Sequence, residues 1–174
     1  FADDVIEASD GNLYFSVAST KFELHNWYLD VLEGKPHGQL LKYDPSSTET
    51  SILLDGLCFA NGVALSRDQD YLVVCETWNR RLTSEGLEFV HTSKASKHLV
   101  ATFPKLIEKV NGVYRKATVV NVAVDGKIIR RFDDPNGKVI SFVTAAMEFE
   151  DHLYLGSLNS NFVGKLPLKD SYNL

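Results

Sequence analysis

Long apolar runs, basic clusters and cysteines are all scarce in this chain, and each scarcity removes a class of protein. Apolar stretches last only a few residues, as in Ile52-Leu53-Leu54 and Leu72-Val73-Val74-Cys75. A membrane-crossing helix needs about 20 such residues, so no transmembrane segment lies here. No basic run stands out among 18 Lys+Arg and 23 Asp+Glu, and the net charge is −5. That balance offers no phosphate-tracking surface and argues against a nucleic-acid partner. Two cysteines cannot build a disulfide-dense scaffold. Cys58 and Cys75 flank a predicted hairpin over 62–74 and read as two buried free thiols, with a cross-strand disulfide as the alternative. The five histidines lack His-x-x-x-His spacing, no serine sits in a Gly-x-Ser-x-Gly elbow, and Asn159-Ser160-Asn161 fails as a glycosylation sequon. An initiator Met is missing as well. The chain opens Phe1-Ala2-Asp3-Asp4, its sole methionine is Met147, and no charged-then-apolar leader precedes the first turn. No signal peptide is therefore present in these residues, which read as a fragment whose start lies upstream.

What the chain does have is globular composition, with 44% hydrophobic and 24% charged residues over 174 positions. Its dominant period is two. Short runs of Val, Ile, Leu, Tyr and Phe are bounded by Asp-Gly, Asn-Gly or proline turns. The pattern predicts strands at Val5–Ala8, Leu13–Val17, Gln39–Tyr43, Thr50–Leu54, Gly62–Leu65 and Tyr71–Cys75. It predicts further strands at Thr118–Val124, Ile128–Phe132, Val139–Val143, Ala145–Phe149 and His152–Ser157. Internal repetition favours a propeller over a sandwich or barrel. His37-Gly38-Gln39-Leu40-Leu41-Lys42-Tyr43-Asp44-Pro45 reads like Asp125-Gly126-Lys127-Ile128-Ile129-Arg130-Arg131-Phe132-Asp133-Asp134-Pro135, 88 residues on. A four-stranded blade occupies about 40–45 residues, so that offset reads as two blades. A second element recurs as Asp10-Gly11-Asn12-Leu13-Tyr14-Phe15-Ser16, Asp68-Gln69-Asp70-Tyr71-Leu72-Val73-Val74 and Glu150-Asp151-His152-Leu153-Tyr154-Leu155-Gly156. After Thr77 the expected outer hairpin fails to follow, and a blade's worth of sequence is expected to be deleted near 78–82. Over about 93–110, Leu99, Val100, Phe103, Leu106, Ile107 and Val110 recur at helical spacing between lysines. This predicts one short helical insertion on an otherwise all-β chain.

The residues also carry a family resemblance. Tyr14-Phe15-Ser16-Val17-Ala18-Ser19, Lys21-Phe22, Asp30-Val31-Leu32-Glu33-Gly34, Gly38 to Pro45, Phe59-Ala60-Asn61-Gly62-Val63-Ala64-Leu65-Ser66 and His152 to Leu158 together resemble strictosidine synthase-like proteins. The plant members similar to adipocyte plasma membrane-associated protein are the nearest in pattern. The resemblance implies part of a six-bladed β-propeller, here about three to four blades, spanning residues 1–174. It implies an ester or lactone hydrolase type of site, with a small-molecule substrate in the intact protein. There an axial Ca²⁺ polarises the carbonyl as a Lewis acid. It assigns Asn61 and Asp3 to the metal, and the ligands of a Pro-Asp-Asn segment and of the first blade have no counterpart here. No catalytic residue is assigned. Strictosidine synthase itself uses a glutamate before the last inner strand, and the matching residue is Thr144, whose hydroxyl has no basic form near neutral pH. True strictosidine-forming activity is therefore not expected. The alternative is a non-catalytic scaffold or membrane-associated interaction protein. By resemblance the compartment is the secretory pathway, vacuole or endoplasmic reticulum.

Overall fold

The computed structural model describes residues 1–77, 102 and 116–168. Three antiparallel sheets make up nearly all of it. The first holds β1 (Ala2–Glu7), β2 (Leu13–Val17), β3 (Gly38–Asp44) and β4 (Glu49–Leu57) in chain order. The second holds β5 (Ala60–Leu65), β6 (Tyr71–Glu76), β7 (Ala117–Ala123) and β8 (Ile128–Asp134). The third holds β9 (Val143–Phe149), β10 (His152–Ser157) and β11 (Gly164–Pro167). A 3-10 turn at Leu24–Asn26 leads into α1 (Trp27–Glu33) between β2 and β3. Gly34, with φ of 62°, ends α1 by letting its N–H reach the carbonyls of Asp30 and Val31.

The sheets are stacked blades. Period-two alternation gives each strand two faces, and successive sheets press unlike faces together. Ile6, Tyr14 and Leu40 of the first sheet meet Val63, Leu72, Val74, Val120 and Val122 of the second. The opposite side of the second sheet, with Val73, Cys75, Ala117 and Val119, meets Ile140, Val143, Ala146, Leu153 and Leu155 of the third. The second sheet is thus covered on both faces, and Leu72, Val73, Val74 and Cys75 are all fully buried. That explains why its strands read as continuous apolar runs.

The structure departs from the sequence expectations in three places, and a fourth expectation falls outside the described residues. Of Val139–Val143 only Val143 joins a strand, as the first residue of β9, because the Asp134 carboxylate captures the N–H groups of Lys138, Val139 and Ile140 and turns the chain there. Burial works to raise that carboxyl, but those amides and that of Asn136 outweigh it and hold it below its ordinary value. The Gly38 and Gly126 segments are out of phase: Gly38 opens a third strand, whereas Gly126 turns into a fourth. The two look alike because both runs have a glycine shortly before or at the start of the strand and end in an acidic residue before proline. The hairpin missing after Thr77 is supplied by β7 and β8, which join the second sheet across residues 77–116 in unbroken register from Tyr71↔Ala123 to Glu76↔Thr118. Finally, the helix expected over 93–110 lies outside the described residues apart from Thr102, and the helix described in full is α1.

Leu72 is fully buried between the first two sheets, so Leu72→Ala is expected to cost about 2–5 kcal/mol. Leu158, 76% exposed, should change stability by less than about 0.5 kcal/mol when cut to alanine. Urea unfolding of the two variants measures the difference.

Candidate functional site

The first strand of each sheet begins the same way. Phe1-Ala2-Asp3-Asp4, Phe59-Ala60-Asn61-Gly62 and Phe142-Val143-Thr144-Ala145 enter β1, β5 and β9. In each, the phenylalanine carbonyl accepts the N–H just past the second strand: Ala18 at 3.0 Å, Thr77 at 3.2 Å and Leu158 at 3.1 Å. The next residue then pairs across the hairpin, as Ala2↔Val17, Ala60↔Glu76 and Val143↔Ser157. Phe59 and Phe142 both adopt positive φ, 57° and 51°, to make this entry. Asp3, Asn61 and Thr144 therefore occupy one equivalent position on three adjacent inner strands. The connections 18–37, 77–116 and 158–163 all leave their sheets at this same end. The site is the mouth that these strand entries and connections share.

Backbone proximity fixes the neighbours at this mouth. A Cβ on Gly62 would stand 2.3 Å from the Thr144 carbonyl oxygen and 3.1 Å from Ala145 Cα, so glycine is what lets β5 and β9 approach. Between β1 and β5 the tie is a side chain. The Asp4 carboxylate accepts the N–H of Val63 at 2.9 Å while the Asp4 N–H donates to Ser16 Oγ at 3.1 Å. Asp4 is the residue that sequence reasoning passed over; an acidic pair in an exposed stretch carries no signal of an inter-sheet bond. Its neighbour Asp3 is exposed, and its carboxyl is raised, first by partial desolvation and then by the Asp4 charge. Asn61 is half-buried, and its Oδ1 accepts the N–H of Gly62 at 3.0 Å.

Three buried carboxylates lie at the same end. Glu76 is 2% exposed; its Oε1 accepts the Cys58 N–H at 2.7 Å, and Arg131 Nη2 lies 3.2 Å from its Oε2 as an ion pair without hydrogen-bond alignment. Burial raises its carboxyl despite the Cys58 amide and Arg131. In the connection after β2, Glu33 takes Lys21 Nζ on both oxygens at 2.6 and 2.7 Å, with Lys35 at 3.4 Å and His37 at 3.7 Å. Asp30, one helical turn before, is 3% exposed and raised chiefly by burial. Cys58 and Cys75 are free thiols, as the bland sequence reading has it, and burial pushes the Cys75 thiol up to about 12. That thiol stays protonated and unreactive at neutral pH.

The oxygen chemistry of Asp3, Asn61 and Thr144 suits a hard cation in kind: one carboxylate, one amide, one hydroxyl. It falls short in number, because Ca²⁺ takes six to eight oxygens. Asn61 Oδ1 and one Asp4 oxygen are already committed to backbone amides. Among the described residues no group of three or more His, Cys, Asp or Glu could hold a metal. The donor set does not fit a complete Ca²⁺ shell.

Comparison with known proteins places this geometry. Residues 3–85 match the family model described as strictosidine synthase. Protein strictosidine synthase-like 6 of Arabidopsis thaliana is 33% identical over 204 aligned positions, covering 95% of this chain and 54% of the relative. Adipocyte plasma membrane-associated protein of Rattus norvegicus is 28% identical, covering 97% of this chain and 57% of its own length. The chain thus spans about half the length of the curated relatives it matches. In the first alignment, 95% of 174 residues is about 165, so about 39 of the 204 positions have no counterpart here. Among solved structures, a luciferin-regenerating enzyme superposes with a TM-score of 0.53 at 12% identity, covering 97% of this chain and 42% of that one. That likeness speaks for the fold alone, and the fold is part of a β-propeller.

Burial gives Glu76 a pH signature. Its folded pKa lies above the unfolded value, so its contribution is full below the unfolded pKa and is lost as pH rises through the folded one. Glu76→Gln keeps an acceptor for the Cys58 N–H but removes the titration. The stability of this variant relative to the parent should rise as pH is raised from the ordinary glutamate range through the raised folded pKa in denaturant melts.

Proposed function

The chain belongs to the strictosidine synthase-like family, and on that premise we propose that it carries an ester- or lactone-hydrolase type of axial site in a catalytically impaired form. One observation carries the reading: Asp3, Asn61 and Thr144 stand at a single equivalent position on three neighbouring inner strands, at the end where the long connections emerge. That is where a propeller gathers oxygen donors from several blades. Asn61 and Asp3 are the donors that would face a Ca²⁺ ion, whose chemistry when bound is to polarise an ester or lactone carbonyl. Two such donors are far short of the six to eight oxygens that the ion requires, so affinity and turnover are expected to be lost together.

What the chain's own residues do is structural. Asp4 fixes β1 against β5, Gly62 lets β5 and β9 close up, and Glu76 anchors the entry to β5 through Cys58. Thr144 leaves no general base at the position where a strictosidine-forming relative would need one, which makes amine–aldehyde condensation the least supported activity. The same shortage of donors favours a second reading, a non-catalytic interaction scaffold. Alongside either reading we place the missing blade's worth of sequence near 78–82. The number of unmatched positions in the Arabidopsis alignment, about 39, is close to one blade's worth. Secretory-pathway residence is part of the same proposal. No helix among the described residues is long and apolar enough to cross a membrane.

Calorimetric titration with Ca²⁺ tests the reading. This chain should bind at millimolar strength or weaker, and it should hydrolyse lactones and aryl esters no faster than background. Micromolar binding that Asn61→Ala abolishes would mean that the axial site is complete after all. If the relative's additional segment is inserted after Thr77 and Ca²⁺ affinity rises, the hydrolase type is supported; if nothing changes, the scaffold reading takes its place.

A further inference from the structure

The connection that carries α1 to the mouth holds two carboxylates that are served unequally. Asp30 and Glu33 lie one turn apart on the helix and are 3% and 8% exposed. Val31 and Leu32 between them are 5% and 1% exposed, so this turn of the helix is packed inward. Glu33 takes Lys21 on both oxygens, and Lys35 and His37 lie beside it as well. Asp30 has the Ser19 hydroxyl, but its Oδ2 is shut off from water with no hydrogen-bond partner. A charge held there forfeits its hydration without full compensation, whereas a protonated carboxyl costs far less to bury.

The groups that face Asp30 come from both ends of the connection and from the helix itself. Ser19, just past β2, and the positive side chains of Lys21 and His37 favour its ionised form; Glu33 disfavours it, and burial outweighs the favourable groups. On the β1 side the Phe1 nitrogen donates to the Ser19 carbonyl at 2.5 Å. Glu23 and His25 pair with each other in the exposed turn before α1. Ser19 and His37 are also what closes the connection. Ser19 Oγ accepts the N–H groups of Lys21 and Phe22 at 3.2 and 3.0 Å. The His37 carbonyl accepts both the N–H and the hydroxyl of Thr20 at 3.0 Å, and its ring stands edge-on to Phe22. Asp30 thus neighbours both closing residues.

We propose that the 18–37 connection is an acid-tightened strap at the mouth: with Asp30 protonated α1 is clamped down, and with Asp30 ionised the strap opens more often, so that acidity sets how freely the mouth is entered. The direction follows from burial. A carboxyl raised in the folded state contributes fully below the unfolded value, and that contribution is lost as pH rises through the folded one. A segment whose local opening is biased by one buried proton is a switch in miniature. This inference rests on the packing within residues 18–37 and not on the reading of the axial site.

Hydrogen exchange read by mass spectrometry tests it on the 174-residue chain. Protection of the peptide covering 22–34, corrected for intrinsic exchange at each pH, should fall as pH rises from the ordinary aspartate range. The fall should be about tenfold for each unit that separates the folded from the unfolded value. Asp30→Asn keeps a polar group for Ser19 and cannot ionise, so its 22–34 protection should hold at the parent's acid level, while β6 and β10 exchange as in the parent. His37→Gln removes a positive neighbour of Asp30 and should move the fall to higher pH without abolishing it. Both variants should keep the parent's circular dichroism spectrum. A parent whose 22–34 protection is flat or rises with pH would overturn the proposal. So would an Asp30→Asn variant that keeps the parent's pH dependence, or a His37→Gln variant that loses it, since the imidazole would then be the titrating group.

Discussion

Everything in this molecule depends on one sheet face being pressed against the unlike face of the next. A single antiparallel sheet of three or four strands has too little core to stand alone, and here each gains it by stacking. The second sheet shows the requirement most fully. Val73 and Cys75 look one way, Leu72 and Val74 look the other, and all four are excluded from water. The strands that supply this apolar surface must all begin at one level, and that is what the repeated phenylalanine entry achieves. Three carbonyl-to-amide closures set the depth of β1, β5 and β9, and the position two residues later becomes a shared layer at the mouth.

The candidate site is a by-product of that levelling. Asp3, Asn61 and Thr144 need no special local conformation to come to the same depth; the entries do it for them. Holding the layer together falls to neighbours that make no contribution to chemistry. Asp4 bridges one pair of sheets by a hydrogen bond across 59 positions of sequence, and Gly62 bridges the next pair by having no side chain at all. The charged cluster of Lys21, Glu33, Lys35 and His37 fastens the connection that carries α1 to the same end.

Period-two alternation and glycine turns made ten of the eleven strands readable in advance. β11 escaped, because Gly164-Lys165-Leu166-Pro167 is short and opens and closes on residues that ordinarily end strands. Val139–Val143 was the opposite error, a run with strand-like residues whose amides are claimed by a carboxylate. Side-chain capture of backbone donors leaves no trace in hydrophobic periodicity. α1 has only seven residues, too few for a helical period to declare itself, although Gly34 marks its end. Asn61 and Asp3 were singled out by the family resemblance alone, and the strand entries bring both to the same layer. Asp4, Asp30 and Glu76 were not, since nothing in a sequence distinguishes a carboxylate that will be buried from one that will face water.

The second sheet is assembled across a long connection. Its two hairpins pair across the 40-residue connection 77–116, whereas those of the first sheet pair across the 20 residues of 18–37. Closure entropy grows only with the logarithm of length, so doubling a connection costs about 0.6 kcal/mol and barely weakens the finished sheet. The order of events is another matter. Short closures form sooner than long ones. The first sheet should therefore complete itself while β5 and β6 wait for β7. Its buried face then serves as the template on which the central strands collect. The slowest pairing in the chain is also the one on which both apolar cores depend.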